Sequence, residues 1–191
     1  MQAEFVVVGG PHGAGKTTFA EEYAAERSYT YVGADASAAK LAPDNPLSAQ
    51  IAAGREFAGQ ISALTKSGQS IVVESTLSGK TFRRILQQAR EAGHRVTIVY
   101  LFLGSVETCI RRVRERVSKG GHHVPEPDIR RRFLRRVQNF WHDYRPLADQ
   151  WPLIYNSEMQ PQDVAVGTTH GLSVRDAELF SRFEALRKAD S

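Results

Sequence analysis

A short segment near the N-terminus combines glycines, a lysine and threonines at spacings that can hold a polyphosphate. Residues 10–17 read GPHGAGKT and fit the phosphate-loop pattern GxxxxGK[ST]. Glycines let successive backbone N–H groups turn toward an anion, Lys16 adds a charge for the outer phosphates, and Thr17 offers a hydroxyl ligand for Mg²⁺. The pattern predicts a nucleoside triphosphate site. Its residues are Gly10, Pro11, His12, Gly13, Ala14, Gly15, Lys16, Thr17 and Thr18.

Two acidic residues stand close behind apolar segments that are typical of β-strands. Asp35 follows a weaker segment at residues 29–32, and its carboxylate can accept the proton of an attacking hydroxyl or cap the next helix. Glu74 and Thr76 follow residues 71–73. They can contact substrate hydroxyls or a water on Mg²⁺, whereas Glu74 can also serve as a helix cap. The sequence predicts all three as substrate contacts and leaves the capping roles open.

Basic residues cluster between residues 111 and 136, where ten lysines and arginines stand against three acidic residues. Arg112 and Arg116 are four residues apart on a predicted helix and therefore share a face. A guanidinium beside Lys16 can stabilise the charge that spreads over a phosphoryl group during transfer. Arg116 also borders a segment with glycines and prolines, residues 117–128, which predicts a lid that closes over a bound nucleotide.

The other arginines of this region differ in what their positions predict. Three are consecutive on the second predicted helix and point in different directions, so at most two can reach a phosphate. They are Arg130, Arg131 and Arg132. A solvated charge is the favoured interpretation of Arg111, Arg114, Arg135 and Arg136. Nucleic-acid binding by the region is disfavoured, because its aromatic residues share a helical stripe with apolar ones and so predict core packing. These aromatic residues are Phe133, Phe140, Trp141 and Tyr144.

Strand-like and helix-like segments alternate along the chain. Apolar runs without polar alternation predict parallel strands covered on both faces at residues 5–8, 71–73 and 96–103, with weaker strands at 29–32 and 153–156. Helical spacing predicts helices over residues 17–27, 47–66, 81–92, 106–117 and 129–144. The alternation predicts an α/β fold: a single-domain P-loop NTPase with an open parallel sheet, helices on both faces and ligands at the carboxyl ends of the strands.

Residues 158–191 predict an accessory part of the same domain, with an edge strand at 163–167 and an amphipathic helix over 174–186. The apolar face of that helix packs on the domain or binds a partner such as an antitoxin. The length of 191 residues suits one domain, and the net charge of +4 comes mainly from the basic region. The single cysteine, Cys109, excludes an internal disulfide.

No apolar run is long enough to cross a bilayer, so a cytoplasmic protein without membrane partners is expected. The adjacent His122 and His123 lack a third ligand at a recognisable spacing, so the sequence predicts no metal other than Mg²⁺.

Several segments in order carry a resemblance to a known family. They are GPHGAGKTTFAEEY, VGADASAAKL, VVESTLSGKTFRRILQQAREAGHRVTIVYLFL and RVRERVSKGGHHVPEPDIRRRF. Over residues 5–156 the chain resembles the short bacterial branch of the zeta-toxin family of P-loop kinases. The resemblance implies transfer of the γ-phosphate of ATP to the 3′-hydroxyl of the amino sugar in UDP-N-acetylglucosamine. It implies Lys16 and Thr17 as the phosphate and Mg²⁺ residues and Asp35 as the catalytic base.

The same resemblance implies that Glu74 and Thr76 contact the substrate and that Arg116 and Arg131 are catalytic. His12 departs from the asparagine or serine that is commoner at its position, and the chain has little room for the segments that shape the founding toxins' sugar-nucleotide pocket. The acceptor therefore stays open among a nucleotide, a small alcohol, an antibiotic and a polynucleotide 5′-hydroxyl. A nucleotide-dependent switch is disfavoured, because the NKxD pattern of GTPases is missing.

Overall fold

The computed structural model describes residues 2–33, 46–77, 80–121, 123–156 and 160–189, and these contain one seven-stranded sheet. Its strands are β1 (Glu4–Gly9), β2 (Thr30–Val32), β3 (Ile71–Ser75), β4 (Arg95–Phe102), β5 (Gln150–Asn156), β6 (Pro161–Thr168) and β7 (Gly171–Val174). The strand order is β2-β3-β1-β4-β5-β6-β7. The first five strands in that order pair in parallel, and β6 and β7 add an antiparallel edge.

Helices follow most of the parallel strands. They are α1 (Lys16–Arg27), α2 (Pro46–Lys66), α3 (Lys80–Glu91), α4 (Val106–Ser118), α5 (Glu126–Asn139) and α6 (Ala177–Lys188). Ser105 caps α4 by accepting a hydrogen bond from the N–H of Thr108, and Asp176 caps α6 in the same way at Leu179. A π-helical turn, Phe140–Tyr144, and a 3-10 turn, Arg145–Leu147, continue α5 toward β5.

The core has two layers because successive side chains of a strand point to opposite faces of the sheet. Phe5 and Val7 of β1 pack on one face with residues of α2, α3, α6 and the π-helical turn. Val6 and Val8 pack on the other face with residues of α1, α4 and α5. Helices therefore cover both faces of a mostly parallel sheet, which confirms the predicted single-domain α/β fold of the P-loop NTPase type.

The C-terminal part differs in detail from its prediction. The edge strand is present as β6, but residues 171–174 form β7 and the helix begins only at Ala177. Val174 has the apolar spacing of the helix, yet it pairs with Ala165 across the sheet, and Asp176 sets the start of α6 by capping it. None of the described helices combines the length and the apolar character that crossing a bilayer requires.

Candidate active site

The phosphate loop connects the end of β1 to the start of α1 at the carboxyl edge of the sheet. Gly13 and Gly15 have positive φ angles of 76° and 78°, which L-residues with side chains rarely adopt. A Cβ on Gly13 would lie 2.9 Å from the carbonyl oxygen of Cys109, and a Cβ on Gly15 would collide with the side-chain amide of Asn156. The two glycines therefore allow the loop to pack closely against α4 and the end of β5.

Lys16 closes the loop on itself, since its Nζ donates a hydrogen bond to the carbonyl oxygen of Pro11 at 3.0 Å. Burial, together with the nearby Arg136 charge, lowers the pKa of Lys16 to about 8, although Glu74 opposes this. Burial and the Arg136 charge both disfavour the protonated form of Lys16. A bound anion would favour that form and so stabilise the Lys16 cation.

Thr17, in the first turn of α1, forms a hydrogen bond with Glu74, near the end of β3. β3 pairs with β1 so that Glu74 lies opposite Val8, and the Thr17 hydroxyl donates to Glu74 Oε2 at 2.8 Å. The pair offers a hydroxyl and a carboxylate oxygen side by side, which is the ligand chemistry that Mg²⁺ prefers. The residues present therefore fit the predicted metal. The described residues hold no group of three or more histidines, cysteines or carboxylates suited to another metal ion.

A cavity of about 550 Å³ lies over the phosphate loop and will be called the P-loop cavity. It brings together the loop, the end of β3, one residue of α2, the last turn of α4, the segment before α5 and the first turns of α5. Its lining residues are His12, Lys16, Thr17, Phe57, Glu74, Ser75, Thr76, Arg116, His123, Val124, Pro125, Asp128 and Arg132. Predicted phosphate, metal and substrate residues thus share one cavity with an arginine from each of two helices.

The consecutive arginines of α5 separate in the structure. Arg132 lines the P-loop cavity and donates to Asp128 Oδ2 at 3.2 Å. Arg131 is exposed, donates to Asp128 Oδ1 at 2.6 Å and does not line that cavity. Residues 128, 132 and 136 are four apart and share the helix face toward the loop. Arg132, and not Arg131, is therefore the second arginine that lines the P-loop cavity.

Arg136 was expected to be a solvated charge, and the structure corrects this. Its side chain is only 2% exposed, and its Nη2 lies 2.8 Å from Nε2 of His12 in the phosphate loop. A guanidinium can only donate, so His12 Nε2 accepts. Burial and the charges of Arg136 and Lys16 lower the pKa of His12 to about 3, so the ring is neutral. Burial also lowers the pKa of Arg136 to about 10.

The sequence contains one indication that Arg136 lies near the site. Arg136 is four residues from Arg132 and therefore shares a face of α5 with it, next to the apolar stripe of the same helix. That stripe packs as predicted, with Ile129, Phe133, Val137 and Phe140 all buried. Which polar flank of the stripe faces the loop depends on how α5 crosses α4, and spacing along one helix does not contain that information.

Two further residues hold the loop from outside. The Asn156 amide at the end of β5 donates to the Ala14 carbonyl oxygen at 2.7 Å, and Arg112 Nη1 donates to the Gly13 carbonyl oxygen at 3.5 Å. The sequence does not predict a role for Asn156, because an asparagine at the end of a strand belongs to no motif that indicates a contact with a phosphate loop. Cys109 lies beneath the loop, where burial raises the pKa of its thiol to about 12 and keeps it protonated.

Of the remaining predicted residues, Thr18 is exposed on α1, while Asp35 and His122 lie outside the described residues. β2 ends at Val32, which pairs with Val73, and Asp35 comes three residues later in the sequence.

The phosphate loop and both arginine-bearing helices fall within the match to one family model. The model of AAA_33, an AAA domain family, matches residues 5–138. The chain belongs to this family. A protein of Haemophilus influenzae strain Rd, described only as uncharacterized, is 30% identical over 133 residues, which are 70% of this chain and 94% of the relative.

Two solved structures show how widely this fold is shared. A crystal structure described as AvrRxo1-ORF1:-ORF2 with ATP is 21% identical with a TM-score of 0.73, and the match covers 100% of this chain but 66% of that one. A structure of the PezAT chromosomal toxin-antitoxin system of Streptococcus pneumoniae is 13% identical with a TM-score of 0.61, over 97% of this chain and 85% of that one. At these identities the likeness establishes the fold.

Within this AAA_33 domain, the P-loop cavity combines cationic side chains with side chains that carry oxygen atoms. Lys16 of α1 lines this cavity together with Arg116 of α4 and Arg132 of α5, so three elements contribute positive charge to it. Glu74 and Thr76 provide oxygen atoms at the end of β3. Family membership and loop geometry together support nucleotide binding.

Proposed function

We propose that this protein is an ATP- and Mg²⁺-dependent kinase that phosphorylates a hydroxyl group of a small metabolite. The observation that carries the proposal is the composition of the P-loop cavity. One space of about 550 Å³ holds Lys16, the hydrogen-bonded Thr17 and Glu74, and the two arginines Arg116 and Arg132. A binding module needs the loop and its lysine, whereas arginines facing the loop are useful when charge develops on a transferred phosphoryl group.

Each group of the cavity has a role in this proposal. The loop N–H groups and Lys16 hold the β- and γ-phosphates. Arg116 and Arg132 stabilise the equatorial oxygens of the γ-phosphoryl group, so the domain supplies its own arginines rather than taking one from a partner. Neutral His12 accepts a hydrogen bond from the buried Arg136 and thereby positions the Arg136 guanidinium next to the loop.

Thr17 and Glu74 would hold Mg²⁺, Thr17 through its hydroxyl and Glu74 directly or through a water. When bound, the ion neutralises charge on the phosphate oxygens. The two side chains hydrogen-bond to each other at 2.8 Å, so they lie side by side.

Asp35 is proposed as the base that orients the acceptor hydroxyl and accepts its proton. Support comes from its position in the sequence after β2, whose end lies at the same sheet edge as Glu74. UDP-N-acetylglucosamine is the first candidate acceptor, on the zeta-toxin resemblance over residues 5–156. The toxin-antitoxin system among the structural neighbours has the same fold, and an antitoxin is a proposed partner of this chain.

The experiment incubates the protein with ATP labelled in the γ-phosphate and a panel of acceptors: UDP-N-acetylglucosamine, NAD, nucleosides, gluconate and a 5′-hydroxyl oligonucleotide. Labelled product with one acceptor identifies the class. Asp35→Asn is expected to lose transfer while keeping ATP affinity, whereas Asp163→Asn, an exposed aspartate paired with Arg175, should behave as wild type. Full turnover by Asp35→Asn would remove it as the base. ATP hydrolysis that needs a partner protein, with no acceptor labelled, would favour a nucleotide-dependent switch.

A further inference from the structure

A second cavity of about 310 Å³ lies along α5 and will be called the arginine cavity. Its lining residues are Arg131, Arg132, Arg135, Arg136 and Asn139. Four of the five are arginines and none is acidic, so the lining concentrates positive charge. Arg132 also lines the P-loop cavity, so the two cavities are direct neighbours.

The positive charge of the arginine cavity is only partly neutralised. Asp128 is the carboxylate that pairs with Arg131 and with Arg132, so one negative charge serves two guanidinium groups. Among the described residues, no carboxylate forms an ion pair with Arg135 or Arg136. A concave surface with several cations and little compensating charge concentrates anions.

Arg136 adds a buried requirement for an anion. It is 98% buried, its Nη2 contacts the neutral His12, and its Nε has no hydrogen-bond partner in the described part of the chain. The hydroxyl of Tyr100, which the charge of Arg136 influences, is also buried and without a partner there. Buried charges are normally paired, because an unpaired one is strongly destabilising. The site is therefore incomplete until an anion binds.

The position of the arginine cavity indicates whether it would bind the nucleotide or the acceptor. The triphosphate has its own cavity, with the phosphate loop, Lys16 and Arg116. Asn139, at the far end of the arginine cavity, donates to the Leu77 carbonyl oxygen at 3.2 Å, in the segment that directly follows Glu74 and Thr76. The arginine cavity thus reaches from the phosphate loop, where Arg136 contacts His12, to the end of β3, where the acceptor is expected.

We propose that the arginine cavity binds a phosphate or diphosphate group of the acceptor and so selects a phosphorylated metabolite as substrate. This inference rests on the proposed kinase function and extends it to the class of acceptor. Arg135 and Arg131 at the open side capture the anion, and Arg136 at the buried side fixes its position relative to the P-loop cavity. An uncharged sugar or nucleoside leaves Arg136 unpaired and is rejected.

The test uses inorganic pyrophosphate as the probe, titrated calorimetrically into protein saturated with ADP. Wild type is expected to bind pyrophosphate beside the nucleotide, and Arg135→Glu is expected to lose at least about tenfold in affinity. Arg175→Glu is the matched control, since Arg175 is an exposed arginine that follows β7, is paired with Asp163 and does not line the arginine cavity. The control should bind pyrophosphate as wild type does, and both variants should keep wild-type ADP affinity.

Equal pyrophosphate affinity in wild type and Arg135→Glu, or no binding beyond the ADP site, would overturn the inference. Once an acceptor is known, a second readout compares it with its dephosphorylated counterpart. Arg135→Glu should raise the KM of the phosphorylated compound and leave its kcat nearly unchanged. Failure of the kinase proposal has a different signature, because pyrophosphate binding would then be intact while no acceptor is labelled.

Discussion

At the scale of single residues, the site is defined by cations whose charges are not balanced by the protein. Lys16 bonds to a backbone carbonyl oxygen and Arg136 to a neutral imidazole, so both are better stabilised when an anion is bound. His12 allows this arrangement, because an imidazole of lowered pKa adds no third positive charge. The loop is therefore organised for polyphosphate before the ligand arrives.

Lys16 predicts how nucleotide affinity depends on pH. The pKa of about 8 means that the free protein loses the Lys16 proton as the pH rises above about 8, and a bound triphosphate raises that pKa again. The affinity of a non-hydrolysable ATP analogue should therefore fall as the pH rises through this range, with proton uptake on binding. Calorimetry in buffers of different ionisation enthalpy measures both. Affinity that is unchanged between about pH 7 and pH 9.5 would contradict the assignment.

Glu74 predicts the metal dependence. Glu74→Gln keeps a hydrogen-bond acceptor for the Thr17 hydroxyl but removes the negative charge that favours a divalent cation. The Mg²⁺ concentration that gives half-maximal transfer should rise about tenfold or more, while nucleotide binding without Mg²⁺ stays near wild type. Glu22→Gln, an exposed glutamate on α1, is the control. An unchanged Mg²⁺ requirement would assign Glu74 to the acceptor alone.

At the scale of elements, the site depends on which helix faces meet the loop. The sequence predicts the apolar stripe of α5, because its period matches a helix. It does not distinguish Arg131 from Arg132, because adjacent residues of a helix differ by about 100° and only the packing of α5 decides which faces the loop. The burial of Arg136 has the same origin. Asn156 is beyond sequence reasoning because its partner, Ala14, is 142 residues away.

Asn156 provides the test at this scale. Asn156→Ala removes the 2.7 Å hydrogen bond to the Ala14 carbonyl oxygen and so one of the contacts that hold the loop in shape. A hydrogen bond of this kind contributes about 1 kcal/mol, so ATP affinity should fall about fivefold while the fold is retained. Asn139→Ala is the comparison, since Asn139 bonds to the Leu77 carbonyl oxygen just beyond β3 and should leave ATP affinity unchanged. Equal ATP affinity in wild type and Asn156→Ala would show that the loop is held by its own backbone.

At the scale of the whole molecule, the C-terminal part is built into the domain that carries the site. Phe183 of α6 is fully buried, and its ring packs against Tyr100 of β4 and against Phe140 of the π-helical turn that follows α5. The predicted amphipathic helix therefore packs on the domain. The alternation of strands and helices, which is local information, predicts the central parallel sheet, but β7 is short and exposed and its pairing with β6 has no such signal.

Phe183→Ala tests this packing. Removing the ring leaves a cavity in an aromatic cluster, so the free energy of unfolding measured in urea should fall by about 3–5 kcal/mol. Leu172→Ala is the control, because Leu172 is 45% exposed on β7 and its truncation should change stability by less than about 0.5 kcal/mol. A Phe183→Ala protein as stable as wild type would mean that α6 contributes little to the core.

The central claim is that the P-loop cavity passes a γ-phosphoryl group to a hydroxyl. The most direct measurement follows the γ-phosphate of labelled ATP in the presence of Mg²⁺ and UDP-N-acetylglucosamine or another phosphorylated acceptor. Wild type should place the label on the acceptor, Lys16→Ala should place none, and the surface variant Lys188→Ala, with an exposed lysine, should match wild type. Label that appears only as inorganic phosphate with every acceptor, or on the acceptor equally with Lys16→Ala, would contradict the account.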